Sequence, residues 1–153
     1  QLQRLDKVQR WFLHELGISD TIAVLNLNFA PPSLRRAIGM LGFLHKRALM
    51  KCHPLVVKAL PLLSDYGIIG AFHDKALFSH SDSIQYHRRL WSRSIFHFIH
   101  IYNRLPQALV DIPSVSAFQR RLTQAAKRVA SADNERWRQS FQNLVELDRW
   151  LHS

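Results

Sequence analysis

The chain has 153 residues, 47% hydrophobic and 21% charged, which suits one folded domain with a core and excludes intrinsic disorder on composition. Its 21 Lys and Arg outnumber 11 Asp and Glu, giving a formal net charge of +10 that favours anionic partners: nucleic acid, acidic lipid headgroups or acidic proteins. The single cysteine, Cys52, excludes an internal disulfide, and no apolar run reaches the roughly 18 residues of a membrane span.

The first half of the chain has helical periodicity, and the whole sequence predicts an all-α, single compact domain (1–153) of about six helices. A first helix is expected over 2–16, ended by Gly17, with a buried stripe of Leu5, Val8, Phe12 and Leu16. A short helical turn can follow Asp20, a good N-cap. A long helix over 32–51 is expected to bury Leu34, Ile38, Leu41, Leu44 and Ala48. Gly39 and Gly42 within it indicate that another helix packs closely.

The second half begins with a short helical segment over 54–63 and a loop-rich stretch over 64–83, which is expected to be exposed. A helix over 84–103 is apolar nearly all round from Ile95 to Tyr102, which predicts a central position. After a linker between Pro106 and Pro113, a helix starting at Ser114 has a stripe of Val115, Phe118, Leu122, Ala125 and Val129. The last helix is expected from Asp133 or Asn134 to His152, with Trp137, Phe141, Leu144 and Leu151 on its core side.

Three blocks of residues follow one another in order over 5–122. The first is Leu5-Asp6-Lys7-Val8-Gln9-Arg10-Trp11-Phe12. The second is Pro32-Ser33-Leu34-Arg35-Arg36 with Ile38, Leu41, Leu44 and His45-Lys46. The third is Tyr102-Asn103, Leu105-Pro106, Val110, Pro113-Ser114-Val115, Phe118, Arg121 and Leu122. In this order they resemble three motifs of non-LTR (LINE-type) retrotransposon proteins, elements abundant in dinoflagellate-type algae: an L-x-x-V-Q-R-x-F helix near the thumb, an S-L-x-x-R-R helix and W-N-x-L-P…A-P-S-V-x-x-F-x-x-R-L.

The resemblance implies the segment that follows the palm of the reverse transcriptase, a helical thumb-side or C-terminal region that helps to hold template RNA and target DNA. The chain departs from the family at Tyr102, where Trp is usual, and at His97, where Arg is common. Polymerase and endonuclease motifs, including a Y-x-D-D-type metal-binding pair, are absent from the sequence. The chain is therefore predicted not to be an enzyme.

Basic side chains recur at helical spacing, and this pattern predicts sequence-independent contact with phosphates. The alternative is that they form the solvated side of amphipathic helices. The candidate nucleic-acid-binding residues are Arg35, Arg36, Lys46, Arg47, Arg88, Arg89, Arg93, Arg120, Arg121, Lys127 and Arg128.

The residue pattern bears on two other kinds of site, one for base stacking and one for a metal. Trp91 lies among Arg88, Arg89 and Arg93 and is a candidate for stacking on a base. The alternative, which is more common for tryptophan, is a side chain in the core or at an interface. The nine histidines, among them His73 and His97, do not form a recognised zinc-ligand spacing, so neither a metal nor another cofactor is predicted.

The leading hypothesis is a non-enzymatic, retroelement-derived basic domain that binds nucleic acid, RNA more than DNA, or a ribonucleoprotein. The alternative is an accessory structural subunit of a large organellar assembly such as a ribosome, respiratory complex or photosystem, held by protein contacts. An intracellular location, nucleus or organelle, is favoured. A start at Gln1 without a signal-peptide pattern leaves open a processed product or part of a longer chain.

Overall fold

Helices account for the regular structure of the chain. The computed structural model describes residues 2–79, 94–132, 137–138 and 141. In those ranges there are seven α-helices, one 3-10 turn (Leu63–Tyr66) and no strand, which confirms the all-α class. The helices are α1 (Leu2–Glu15), α2 (Asp20–Asn26), α3 (Pro32–Ala48), α4 (Pro54–Ala59), α5 (Ile95–Tyr102), α6 (Gln107–Val110) and α7 (Val115–Ser131).

The chain forms two compact units. We call residues 1–38 and 122–153 the terminal unit and residues 39–121 the central unit. The chain passes from one unit to the other within α3 and returns within α7, so each of these helices contributes residues to both. The prediction of a single domain over 1–153 stays a prediction.

In the terminal unit, the turn between α1 and α2 follows from local sequence. Gly17 has φ +68°, a left-handed conformation that is easiest for glycine. The Gly17 amide donates to the His14 carbonyl and the Ile18 amide to the Leu13 carbonyl, which is the Schellman arrangement that ends a helix. Ser19 then caps α2, because its hydroxyl oxygen accepts a hydrogen bond from the Ile22 amide at 3.1 Å.

The predicted buried stripe of α1 is wrong. Its members, with Trp11, are 51–65% exposed: Leu5, Val8, Trp11, Phe12 and Leu16. The helix is turned so that Asp6 accepts a hydrogen bond from the Ser33 amide at 3.0 Å and Gln9 donates to the Phe29 carbonyl at 3.5 Å. Since the first amides of α3 have no partner within that helix, the contact with Asp6 satisfies one of them and holds the polar side of α1 inward.

In the central unit, α3 and α7 approach each other at Gly42. A Cβ placed on Gly42 would lie 2.7 Å from Cδ of Gln119, so no larger side chain enters without moving Gln119. This contact confirms the close packing predicted at Gly42. The same prediction is wrong at Gly39, where a Cβ would meet nothing within 4 Å because that side of α3 is exposed.

The loop after the 3-10 turn is irregular, as predicted, but part of it is buried rather than exposed. The Asn103 Oδ1 atom accepts a hydrogen bond from the Leu77 amide at 2.8 Å, and its Nδ2 atom donates one to the Leu77 carbonyl at 2.7 Å. The His73 ring donates from Nε2 to the Tyr102 carbonyl at 2.9 Å. These bonds attach the loop to the C-terminal end of α5, and Ala76 and Leu77 are buried with it.

Two predicted helices lie partly outside the described residues. Of the helix expected over 84–103, the structure describes α5, in which Phe98, Ile99, Ile101 and Tyr102 are buried. Of the last predicted helix, Trp137 and Phe141 are described and are buried, as expected. Leu144, Leu151 and most of that helix lie outside the described residues.

A buried histidine joins three segments of the central unit. His45 Nε2 lies 2.7 Å from the Ile112 carbonyl oxygen and Nδ1 lies 3.1 Å from the Tyr102 hydroxyl oxygen. These partners define the neutral tautomer, with Nε2–H donating to the carbonyl and Nδ1 accepting from the hydroxyl. The imidazole also stacks on Phe118 of α7, with ring centroids 4.1 Å apart. Burial is the main reason that the pKa of His45 is lowered.

Burial also lowers the pKa of His73. Its Nδ1 has no hydrogen-bond partner in the described structure, so protonation there would leave a buried N–H unpaired. Both rings are therefore held neutral in the folded chain, whereas exposed histidines bind a proton near pH 6.5.

We expect the free energy of unfolding to be highest above about pH 7 and to fall as the pH drops below about 6.5, because the unfolded chain then binds more protons. Urea unfolding at a series of pH values from 7.5 to 5 would measure how the free energy of unfolding changes with pH. His45→Gln should remove part of the pH dependence. Stability that does not change over this range would contradict the neutral assignment.

Candidate nucleic-acid interface

The helix α7 has one buried and one basic face. Phe118, Leu122 and Ala125 are buried, as the stripe predicted. On the opposite side lie the exposed Arg120, Arg121, Gln124 and Arg128, which we call the α7 basic face. Residues at these spacings fall on the same side of a helix with 3.6 residues per turn. The sequence of α7 contains four Lys or Arg and no Asp or Glu.

Arg120, Arg121 and Arg128 form no ion pair within the described ranges. The eight-residue step from Arg120 to Arg128 spans about 12 Å along the helix axis. One strand of a duplex carries a phosphate roughly every 3.4 Å of axis, so about three or four phosphates pass along this length. The charge density of the α7 basic face therefore matches that of a phosphate backbone.

Among the described residues, several carboxylates are paired with other cations. In the central unit Asp65 pairs with Arg47 at 3.3 Å, and Asp111 pairs with Lys75 at 2.5 Å. Asp111 has its pKa lowered by the hydrogen bond from Lys75. In the terminal unit Asp20 pairs with two arginines.

The Lys127 side chain makes a contact within the terminal unit. Its ammonium group donates to the Leu25 carbonyl at 3.2 Å, and the side chain is half-buried. That carbonyl lies in the last turn of α2, where helix carbonyls lack partners within the helix. Lys127 therefore acts first as a C-terminal cap of α2 and contributes less to the basic face than its sequence position predicted.

The other predicted cations on α3 differ in exposure. Arg35 and Lys46 are exposed and Arg36 is half-buried. The Arg35 guanidinium lies 5.5 Å from the centre of the Phe29 ring, a cation–π contact that restrains its side chain. Eleven positions separate Arg35 from Lys46, so the exposed charge on α3 is sparser than on α7.

Arg47 is not a surface residue, and its assignment as a nucleic-acid-binding residue is wrong. It is 0% exposed. Its Nε donates to the Leu60 carbonyl at 2.6 Å, and a terminal nitrogen donates to Asp65 at 3.3 Å. A buried guanidinium needs such partners because water cannot reach it. Arg47 thus fixes the segment after α4 to the end of α3.

Four predicted residues lie outside the described residues: Arg88, Arg89, Trp91 and Arg93. Two other tryptophans are described. Trp11 is 65% exposed on α1, and Trp137 is buried with the Arg138 guanidinium 5.2 Å from its ring centre.

Sequence reasoning missed the cluster in which Asp20 binds both Arg10 and Arg138. These residues are far apart in sequence, and no spacing signals their meeting. The sequence predicted a helix start at this turn but assigned the N-cap to Asp20, which is wrong: Ser19 is the N-cap and Asp20 is the first residue of α2.

The comparisons with known proteins gave no assignment: no family model, no curated protein and no solved structure matches the chain. In the described part of the sequence, no three His, Cys, Asp or Glu side chains are grouped as metal ligands. No helix in that part is long and apolar enough to cross a membrane.

We expect Arg47→Gln to lower the free energy of unfolding by about 1–3 kcal/mol, since the buried Leu60 carbonyl loses its charged donor. Arg120→Gln, which removes an exposed and unpaired arginine, should change it by no more than about 0.5 kcal/mol. Urea denaturation of the two variants measures the difference. Equal stabilities would show that Arg47 has no structural role.

Proposed function

We propose that this chain is a non-enzymatic nucleic-acid-binding domain that contacts the phosphate backbone of RNA through the α7 basic face. The observation that supports it most is that Arg120, Arg121 and Arg128 lie exposed on one side of a helix without acidic residues. Arginine suits this role because its planar guanidinium donates two parallel hydrogen bonds to phosphate oxygens.

Contacts to the backbone would make binding insensitive to sequence and sensitive to salt. Each neutralised phosphate releases condensed counterions, so the affinity falls as salt rises. The formal net charge of +10 adds long-range attraction for any polyanion. Specificity for one RNA would need contacts to bases or to RNA shape, and Gln124 is the polar, uncharged side chain on the face.

Derivation from a retroelement is part of the proposal. It is supported by the resemblance of residues 5–122 to the segment after the polymerase palm of LINE-type proteins, a region implied to hold RNA and DNA. The absence of polymerase motifs from the sequence supports a binding role without catalysis.

The test is the double charge reversal Arg120→Glu with Arg121→Glu. We expect the affinity for an RNA hairpin to fall about tenfold or more at moderate salt, and the salt slope to fall by about 1.4 to 1.8, because two phosphate contacts are lost. Fluorescence anisotropy over a salt series measures both quantities. A DNA duplex of equal length serves as the second ligand.

The matched control is Arg4→Glu with Lys7→Glu, two exposed cations on α1 whose reversal changes the net charge equally. It should weaken binding much less. An equal loss in both double variants would mean that RNA responds to the overall charge alone, and that the α7 basic face has no special role.

The second candidate function, an accessory subunit of a large assembly, is supported by a different observation. On α1 four large apolar side chains are exposed, including Trp11 at 65% and Phe12 at 51%. Exposed aromatic side chains on one helix are typical of protein interfaces. Such a subunit would keep its assembly when Arg120 and Arg121 are reversed, and would lose it when Trp11 and Phe12 are replaced by Ser.

A further inference from the structure

The first helix of the terminal unit exposes an apolar stripe instead of burying it. Four large apolar side chains of α1 and the leucine directly after it are all more than half exposed, and we call them the α1 stripe: Leu5, Val8, Trp11, Phe12 and Leu16. The polar side of α1 is turned inward, where Asp6 accepts a hydrogen bond from the Ser33 amide. Apolar surface in water costs free energy, so a partner that covers the α1 stripe is stabilised by the contact.

The α1 stripe has the area of a small specific interface. Its members follow one another at steps of three and four residues, so they form one continuous surface along the helix. A large side chain that is half in water presents about 100 Å², and five of them present roughly 500 Å². Monomeric proteins rarely expose more than a few hundred Å² of contiguous apolar surface. Two such stripes, face to face, bury about 1,000 Å², which is the lower size of a specific contact between proteins.

Opposite charges lie at the two ends of the α1 stripe, on the same flank. Arg4 and Glu15 are both exposed, and neither forms an ion pair among the described residues. Eleven positions separate them, so at about 100° per residue the two side chains point only about 20° apart around the helix axis. Along that axis they are about 16 Å apart, which is too far for them to pair within one chain.

An antiparallel pair of α1 helices brings these charges together. In a twofold arrangement with one stripe on the other, the N-terminal end of one helix lies beside the C-terminal end of its mate. Leu5 then faces Leu16 of the second copy, and Arg4 faces Glu15 of the second copy. Because a twofold contact is self-complementary, the ion pair occurs twice. A parallel pair would instead place Arg4 beside Arg4 and Glu15 beside Glu15.

We propose that the α1 stripe is the contact between two copies of this chain, which associate as an antiparallel helix pair. The apolar side chains supply the free energy of association, and the pairs of Arg4 with Glu15 set the orientation, because exposed ion pairs add little affinity. The stripe is thereby assigned to a second copy rather than to another protein. The inference does not rest on the α7 basic face: each copy carries its own, so a monomeric variant keeps its contact with RNA.

Sedimentation velocity of the full chain, at concentrations from about 1 to about 300 μM, measures the dissociation constant of the dimer. We expect that Val8→Ser with Phe12→Ser raises this constant about hundredfold or more, because four apolar side chains are lost per dimer. Both residues are exposed, so the variant should remain folded, as circular dichroism can check. The matched control is Leu55→Ser with Ile69→Ser, which removes two exposed apolar side chains outside α1 and should dimerise like the unmodified chain.

Charge reversal tests the orientation of the pair. Arg4→Glu and Glu15→Arg should each raise the dissociation constant about three- to tenfold, since each places like charges opposite one another at both ends of the contact. Either reversal gives its end of α1 the charge that the helix dipole favours, so loss of the helix cannot explain a weaker dimer. The two reversals combined restore opposite charges and should return the constant to within about twofold. Additive weakening in the combined variant would contradict the antiparallel arrangement.

Salt separates this contact from the proposed RNA contact. Raising NaCl from about 0.1 to about 0.5 M should not weaken the dimer, because salt screens the repulsion between two basic chains and leaves apolar burial intact. The affinity for RNA should fall over the same range. A chain that stays monomeric up to about 300 μM, or a dimer that survives replacement of Val8 and Phe12, would overturn the proposal. If the monomer instead binds phosphatidylserine vesicles through these residues, the α1 stripe contacts a lipid surface and the proposal is likewise overturned.

Discussion

Burial of a neutral imidazole is the constraint on which the central unit depends. His45 accepts from the Tyr102 hydroxyl, donates to the Ile112 carbonyl and stacks on Phe118. One side chain on α3 therefore fixes the orientation of α5, of the turn after α6 and of the first turns of α7. With Phe118 directed inward, the helical period directs Arg120 outward. Arg121, beside it, is exposed as well.

Of the three sequence blocks, the third contributes Tyr102, Asn103 and Phe118 to this unit, whereas the first block lies in the terminal unit and is not buried. Tyr102, Asn103 and Phe118 make the contacts that hold α5, the loop and α7 together, and Tyr102 has its pKa raised by burial. These three residues therefore have a structural role in this chain. Some candidate binding residues, such as Arg35 and Arg121, belong to the same blocks but are exposed, and there charge is the determining property.

The sequence predicted the elements better than their orientation. The stripe of α7 identified its buried face correctly, because Phe118, Leu122 and Ala125 recur with the helical period. On α1 the same reasoning failed, because the predicted apolar stripe is exposed. It is Asp6 and Gln9 that bond to the Ser33 amide and the Phe29 carbonyl. Arg47 was misassigned because its carbonyl and carboxylate partners lie 13 and 18 positions away. No periodicity within one helix can reveal partners of that kind.

Arginine-specific footprinting tests the central claim, contact between the α7 basic face and a phosphate backbone, most directly. The chain is treated with phenylglyoxal with and without a bound RNA hairpin, and modified residues are located by mass spectrometry. The account predicts that RNA protects Arg120, Arg121 and Arg128, while Arg4 stays reactive. Full reactivity of the three α7 arginines in the presence of saturating, bound RNA would contradict it.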